Sequence, residues 1–370
     1  MSEGVCYHTG MFPPEKLEWP RLVPLISPAT RNIAKYDGLL HAVPNPEVLL
    51  APLRTKEATS SCRIEGTLVT DEEVFAADAA TGKLEVDPVK QREILEAQNY
   101  RRALKKAVEL MDDPKRPREI YGTILKESHE ILLEGQQGGH PGHYRKEPVH
   151  IGSRGGPIRF RPIEHNLLEG GMKKWEDYTA LSDEQDSLVQ LAISHAEFES
   201  LHPFCDGNGR MGRILVPLFL YNRDILSSPT FYVSEYLEEH RQEYYDALLR
   251  VSSEDDWTGW CVFFLNALKE QGERNVGKAK GILDLYAEKK IWIREEKEIG
   301  LKDTTPALDF IFENVEFNSN SFIEKTEIKS ATARRFLKSC AEKDLLTCTK
   351  EDKSRSPASY SFTELRELIG

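Results

Sequence analysis

Apolar positions recur at intervals of three and four residues along most of this chain. Over residues 87–111, Ile94, Ala97, Ala103, Leu104, Ala107, Val108 and Met111 fall on one side of a helix. The same texture continues over 114–135. It returns over 164–178, 184–201, 207–222, 235–251 and 255–290. An earlier helix is predicted from Pro46 to Ile64, stopped at Gly66. The first forty-odd residues are rich in proline and weakly periodic, and read as an extended arm with a few anchoring side chains. The pattern breaks in GQQGGHPGHYRKEPVHIGSRGGPIRFRPI, residues 135–163. There the short alternating runs VHI and IRF flank a GSRGGP turn, which predicts a small hairpin on a helical protein. No period of 20–50 residues is visible, which excludes a solenoid.

The last seventy residues look separate. Helical patterns at 305–316 and 322–330 precede SATARRFLKSCAEKDLL, and two strand-like runs, LLTCTK and ASYSFT, flank the polar loop EDKSRSP. Helices followed by a hairpin predict a winged helix-turn-helix-like domain. From residue 301 on there are 11 basic and 12 acidic residues, one more acidic than basic. A DNA-reading module is usually basic, so the balance favours packing or partner docking over DNA binding.

The remaining composition narrows the class. The chain has 370 residues and a net charge of −12, which offers no global lure for nucleic acid. The first residues lack the apolar core of a signal peptide. The longest apolar stretch, ILVPLFLY at 214–221, is too short to cross a bilayer, so no membrane role is expected. Six scattered cysteines without a CxxC pair suggest neither a zinc site nor a disulfide framework, and a reduced cytoplasm is the expected compartment.

The chemistry concentrates in HPFCDGNGR, residues 202–210. A helix ends near His202 and another begins after the glycines, so CDGNG leads into a helix N-terminus, where unpaired N–H groups attract an anion. Glycines let a phosphate approach the backbone. Arg210 and Arg213 share one helical face and reach phosphate oxygens. Asp206 is a hard oxygen ligand suited to Mg²⁺, which takes one or two carboxylates plus substrate phosphates. His202 can accept a proton near neutral pH, and Asn208 could donate to an oxygen as charge shifts. Together these parts suit phosphoryl-type chemistry. Two other readings stay open: a structural histidine beside an ordinary turn, and a metal face of His195, Glu199 and His202 at i, i+4 and i+7.

HPFCDGNGRMGR closely resembles the Fic family signature HPFx[D/E]GNGRxxR. His202, Pro203, Phe204, Asp206, Gly207, Asn208, Gly209, Arg210 and Arg213 all match. The resemblance implies a helical core with a hairpin flap and the transfer of AMP from ATP to a protein hydroxyl. His202 would be the base and Asp206 the Mg²⁺ ligand. The stretch Gly207, Asn208, Gly209, Arg210, Met211, Gly212 and Arg213 would meet the nucleotide. Ile151, Gly152, Ser153 and Arg154 resemble the flap that holds a target by strand addition. Tyr244 and Tyr245 stand where related proteins place the adenine pocket. SSCRIEGT at 60–67 resembles the family's inhibitory motif, with Ser61 and Glu65. A carboxylate at a helix C-terminus is disfavoured by the dipole, and Arg213 is the partner that the resemblance implies.

The expectation is therefore a mainly α protein in four parts: an N-terminal helical region, 1–112; a Fic catalytic core, 113–275; a helical linker, 276–300; and a winged-helix-like domain, 301–370. Its expected activity is that of a self-inhibited protein adenylyltransferase using Mg²⁺ and ATP, acting on a Ser, Thr or Tyr hydroxyl of an unidentified protein and on itself. A homodimer is left open. The alternatives are removal of AMP or transfer of another phosphate-linked group and, from another class, a nucleotide-responsive DNA-binding regulator.

Overall fold

The computed structural model describes residues 4–80, 86–115, 120, 122–136, 138–152, 156–295, 304–351 and 357–370. It begins with a short strand, β1 (Val5–Cys6), and then departs from the sequence reading. Residues Trp19–His41 form a helix, α1, despite Pro24 and Pro28 within it. Proline removes a hydrogen bond from a helix interior. Here burial of Leu22, Ala29, Ile33, Tyr36 and Leu40 along one face outweighs that loss. Only the segment before α1 is an arm, and it is well anchored. The Tyr7 hydroxyl donates to Glu197 Oε1 (2.6 Å), and the His8 ring bridges Glu197 Oε2 (2.8 Å) and Ser252 Oγ (2.7 Å).

Helix α2 (Glu47–Ile64) is buried nearly all round, the mark of a central helix. Its buried Glu57 accepts hydrogen bonds from the Tyr100 hydroxyl (2.9 Å) and from the backbone and side chain of Ser234 (2.9 and 2.6 Å). Helix α3 (Asp71–Ala79) opens with a capping box between Thr70 and Glu73. Asp87 caps α4 (Pro88–Met111), which packs on α5 (Gly122–Leu132). The expected hairpin is β2 (Ile151–Gly152) against β3 (Ile158–Arg161). β3 lies between antiparallel β2 and parallel β1, so the arm covers one edge of the hairpin. Gly152 is required there: a Cβ would stand 2.6 Å from the Pro157 carbonyl oxygen.

Helices α6 (Leu168–Ala180), α7 (Ser187–Leu201), α8 (Asn208–Asn222), α9 (Ser234–Glu239) and α10 (Arg241–Glu254) complete the central bundle. Helix α11 (Trp257–Glu295) runs 39 residues without a break, about 58 Å at 1.5 Å per residue. The boundary expected at 275/276 falls inside it. α1 lies along α11, and α7 packs on both α8 and α11.

The C-terminal region has the order α12 (Thr305–Glu313), β4 (Glu316–Asn318), α13 (Ser319–Thr326), α14 (Ser330–Glu342), β5 (Thr347–Lys350), β6 (Ser359–Ser361) and α15 (Thr363–Ile369). β6 is central, antiparallel to β4 and β5. This region is not detached: α12 packs on α2, α15 on α11 and α2, and β4 on α3. Among the described residues no helix is long and apolar enough to cross a membrane.

Candidate active site

The site is built where α7 ends and α8 begins. Asp186 caps α7 at its start, and at its end His202 takes the left-handed conformation (φ 48°). The loop that follows is held from three sides. Asn208 closes it on itself: its Oδ1 accepts from the Phe204 N–H and its Nδ2 donates to the Phe204 carbonyl, both at 2.8 Å. One N–H of the Asn208 amide is thus committed to the loop, and its second N–H is not used by this contact. Phe204 is fully buried and stacks on the His129 ring, 3.7 Å between centroids. His129 Nδ1 accepts from the Gly142 N–H (3.0 Å), so its Nε2 carries the proton and donates to the Asp206 carbonyl (2.9 Å). Burial pushes the His129 pKa down to about 4, keeping it neutral.

Arg145 makes the third clamp. Its guanidinium donates to the carbonyls of His202 (2.8 Å), Leu201 (3.2 Å), Glu147 (3.3 Å) and Ile163. Its own N–H donates to the Pro203 carbonyl (2.9 Å). Neither Arg145 nor His129 was singled out from sequence. His129 had a signal: it lies on the buried stripe of α5 beside Leu125 and Leu132. Arg145, in a glycine- and proline-rich stretch, had none.

Burial, with a smaller push from Arg145, lowers the His202 pKa to about 4. The imidazole is therefore neutral at physiological pH. Its Nδ1 lies 3.3 Å from the Glu199 carbonyl. That partner assigns the proton to Nδ1 and leaves the Nε2 lone pair free to receive another.

Gly207 precedes α8 in the left-handed region (φ 78°). Asp206 Oδ1 accepts from the Gly207 N–H (2.6 Å) and lies 3.5 Å from Arg210, while the side chain stays 61% exposed. Arg210 pairs with Glu96 of α4 (3.2 Å). Arg213 is wholly enclosed: Nε donates to Ser61 Oγ (2.8 Å), and Nη2 donates to the Ser61 carbonyl (2.9 Å) and to Glu65 Oε1 (2.6 Å). Glu65 follows the last residue of α2, and its side chain is 36% exposed. Burial would raise its pKa, but Arg213, then Arg210 and His202, hold it below the ordinary carboxylate range. The carboxylate lies against the first turn of α8. A Cβ on Gly209 would meet Glu65 Oε1 at 2.3 Å and Arg213 Nη1 at 3.0 Å. Ser61, Glu65, Gly209 and Arg213, far apart in the chain, thus converge on one spot.

Comparison with known proteins fits this geometry. The family model described as Fic/DOC family N-terminal matches residues 23–109, and that for the Fic/DOC family matches residues 120–220. The chain belongs to the Fic family. A Fido domain-containing protein of Dictyostelium discoideum is 42% identical over 83 residues, 22% of this chain and 54% of that protein. The protein adenylyltransferase Fic of Culex quinquefasciatus is 30% identical over 142 residues, 37% of this chain and 24% of that one. The alignments thus span about half and about a quarter of those relatives' lengths. Among solved structures, a Fic family protein from Desulfovibrio desulfuricans superposes with a TM-score of 0.61 at 24% identity, over 95% of this chain and 98% of that one. A Fic domain containing signaling protein from Bacteroides thetaiotaomicron gives 0.55 at 18% identity, over 69% and 97%. These likenesses establish the mainly helical Fic fold.

Within that Fic fold the other expected residues divide. Ile151 and Gly152 lie in β2, whose outer edge has no strand partner among the described residues; Ser153 and Arg154 lie outside the described residues. Tyr244 is 1% exposed, meets His195 Nε2 through its hydroxyl (2.9 Å) and packs beside Trp260 and Phe263. It is a core residue, and the expected adenine wall does not include its face. Half-buried Tyr245 donates to the Ile64 carbonyl (3.2 Å), next to Glu65. Met211 is buried in the core, and Gly212 is where α8 presses on α7: a Cβ there would stand 2.2 Å from Glu199 Oε1. Among the described residues that oxygen has no hydrogen-bond partner, although it is buried. Burial pushes the Glu199 pKa up to about 8, although Arg213 pulls it down. The alternative metal face fails. His195 Nε2 is engaged by Tyr244, and no group of three or more metal-binding side chains is found among the described residues. The single exposed carboxylate of Asp206 is the donor set that Mg²⁺ takes when phosphates supply the rest.

Proposed function

We propose that this chain is a protein adenylyltransferase, transferring AMP from ATP to a Ser, Thr or Tyr hydroxyl, and that Glu65 holds it back. The observation that carries the reading is a neutral, half-buried His202 whose Nε2 has no hydrogen-bond partner among the described residues, beside a glycine-built helix N-terminus. Relatives named protein adenylyltransferase point the same way. In the reaction the target hydroxyl oxygen bonds to the α-phosphorus and the bond to the β-phosphate bridging oxygen breaks. Pyrophosphate leaves, and the hydroxyl proton passes to His202 Nε2. The N–H groups at the start of α8 and Arg210 receive the phosphates. Asp206 would hold Mg²⁺, which shields phosphate charge when bound. The free edge of β2 would take the target as an added strand, gripping backbone rather than side chains.

In this reading Glu65 occupies Arg213, which would otherwise serve the terminal phosphate of ATP. It also places a carboxylate where the phosphates should lie. The test is intact mass after incubation with Mg²⁺ and ATP, for the full chain and its Glu65→Gly and His202→Ala forms. One AMP per modified site, with pyrophosphate released and His202→Ala silent, is expected. ATP consumption without adduct, or loss of AMP from a modified protein, would replace transfer with the reverse or a different reaction.

A further inference from the structure

The catalytic reading leaves α13 and α14 without a task. They form a helix-turn-helix joined at Glu327, which sits in the left-handed conformation (φ 57°). One face of α14 is sealed: Ala333, Phe336, Leu337 and Cys340 are buried in the regional core. The opposite face shows Ala331, Arg334, Arg335 and Lys338, all exposed and spaced to share one side of the helix, with Lys329 and Ser330 at its start. Arg334 reaches the Asn320 side chain at 3.4 Å and Lys338 lies 3.6 Å from Glu342. Glu327 and Glu342 bracket this segment, and the exposed stripe between them carries only positive charge.

The near-neutral total for the region conceals this arrangement, because several of its acids face the rest of the chain or pair elsewhere. Asp309 accepts from Asn45 and Tyr286, Glu313 accepts from Asn45 (2.8 Å), Glu316 pairs with Arg366 (3.7 Å) and Glu364 pairs with Lys289 (2.7 Å). The balance of 11 basic to 12 acidic residues therefore does not describe the face that α14 presents.

We propose that the exposed face of α14 docks duplex DNA in the major groove, through Lys329, Arg334, Arg335 and Lys338. An α-helix about 10–12 Å across fits a groove about 12 Å wide. The second helix of a helix-turn-helix enters that groove by the residues near its N-terminus; here Lys329, Arg334 and Arg335 lie at its start and in its first half, and Lys338 follows one turn on along the same face. A protein partner is less well served: apart from Ala331 the face offers no apolar anchor. The chain's net charge of −12 opposes approach at a distance, but screening within about 10 Å at 0.1 M salt leaves the local face to decide.

Four cations on phosphates predict a log–log salt slope of about −3.6, so affinity falls on the order of 10²-fold between 50 and 200 mM salt. The experiment is fluorescence anisotropy of the full chain with a labelled mixed-sequence duplex over that range. Binding at 50 mM with this slope is expected. Lys338→Ala should reduce the slope by about one, and the double variant R335E/K338E should abolish binding. Both positions are exposed, so the double variant should keep the wild-type melting temperature. R335Q/K338Q, which removes charge with little change of shape, should weaken binding by more than ten-fold and guards against misfolding. Absence of binding at 50 mM, binding indifferent to either double variant, or equal binding of single-stranded DNA or polyglutamate would overturn the proposal.

Discussion

Replacing Glu65 by glycine removes the carboxylate that accepts from Arg213 at 2.6 Å. A hydrogen bond between charged partners contributes about 1.5–3 kcal/mol. Glu65 keeps about a third of its surface in water, so screening moves the value to the lower end, about 1–1.5 kcal/mol. If that interaction must be given up before nucleotide binds productively, its removal raises self-modification about five- to ten-fold. The effect grows towards 10²-fold if the carboxylate also misplaces the reacting phosphate. Arg213 keeps both Ser61 contacts, so the expected stability cost is only about 1–2 kcal/mol. Glu65→Asp keeps the charge with a shorter reach and should fall between wild type and Glu65→Gly. Arg213→Ala frees the glutamate but deletes the cation, and should stay inactive. The assay is the initial rate of radiolabelled AMP incorporation from α-labelled ATP, read beside thermal melts of the same samples. A Glu65→Gly protein that melts near wild type and labels no faster would refute the reasoning.

Asp206→Ala should shift the Mg²⁺ titration of labelling to higher concentration by at least ten-fold, and an unmoved titration would remove Asp206 from the metal. Arg145→Met strands carbonyls of the loop and should cost about 3 kcal/mol or more in urea unfolding, with labelling lost together with loop order. The His129 and His202 pKa values are lowered to about 4 and that of His195 to about 3. Between the ordinary value near 6.5 and those values the unfolded chain takes up protons that the folded chain refuses. Stability should therefore fall as pH drops through this window, by about 1.4 kcal/mol per unit for each histidine, visible as a falling melting temperature. The sign reverses for Glu199, raised to about 8: stability falls as pH climbs from about 4.5 to 8, and Glu199→Gln should flatten that alkaline limb.

The parts that sequence made legible are those with a local cause. The helices at 87–111 and 184–222 follow from their apolar spacing and from the break at CDGNG. The hairpin follows from alternation around glycines, and Asp206, His202 and the arginines from a dense motif. What stayed hidden depended on distance in the chain. α1 was masked by its prolines, because the partner that compensates them is α11, more than two hundred residues on. Asn208 also closes the loop at Phe204, a contact that its residue type alone did not announce. Tyr244 looked like a ring wall, but its neighbours Trp260 and Phe263 make it core. Arg145 serves carbonyls on three segments, and no pattern of side chains announces where carbonyls will gather. α3 is a different case, since Thr70 and Glu73, three residues apart, spell its capping box in the sequence.

Helix α2 carries Glu65 at one end and supports α12 and α15 of the C-terminal region on its flank, while α11 runs unbroken through the expected domain boundary. Such an arrangement has a calorimetric consequence. Regions that share two helices cannot melt independently, since losing one uncovers apolar surface of the other. Heating should therefore give a single endotherm in which calorimetric and van't Hoff enthalpies agree, instead of two peaks for two modules. A chain cut after residue 300 would then expose a face of α2 and unfold at lower temperature. A single endotherm would place the seventy residues that looked separable in sequence in the same cooperative unit as the catalytic loop.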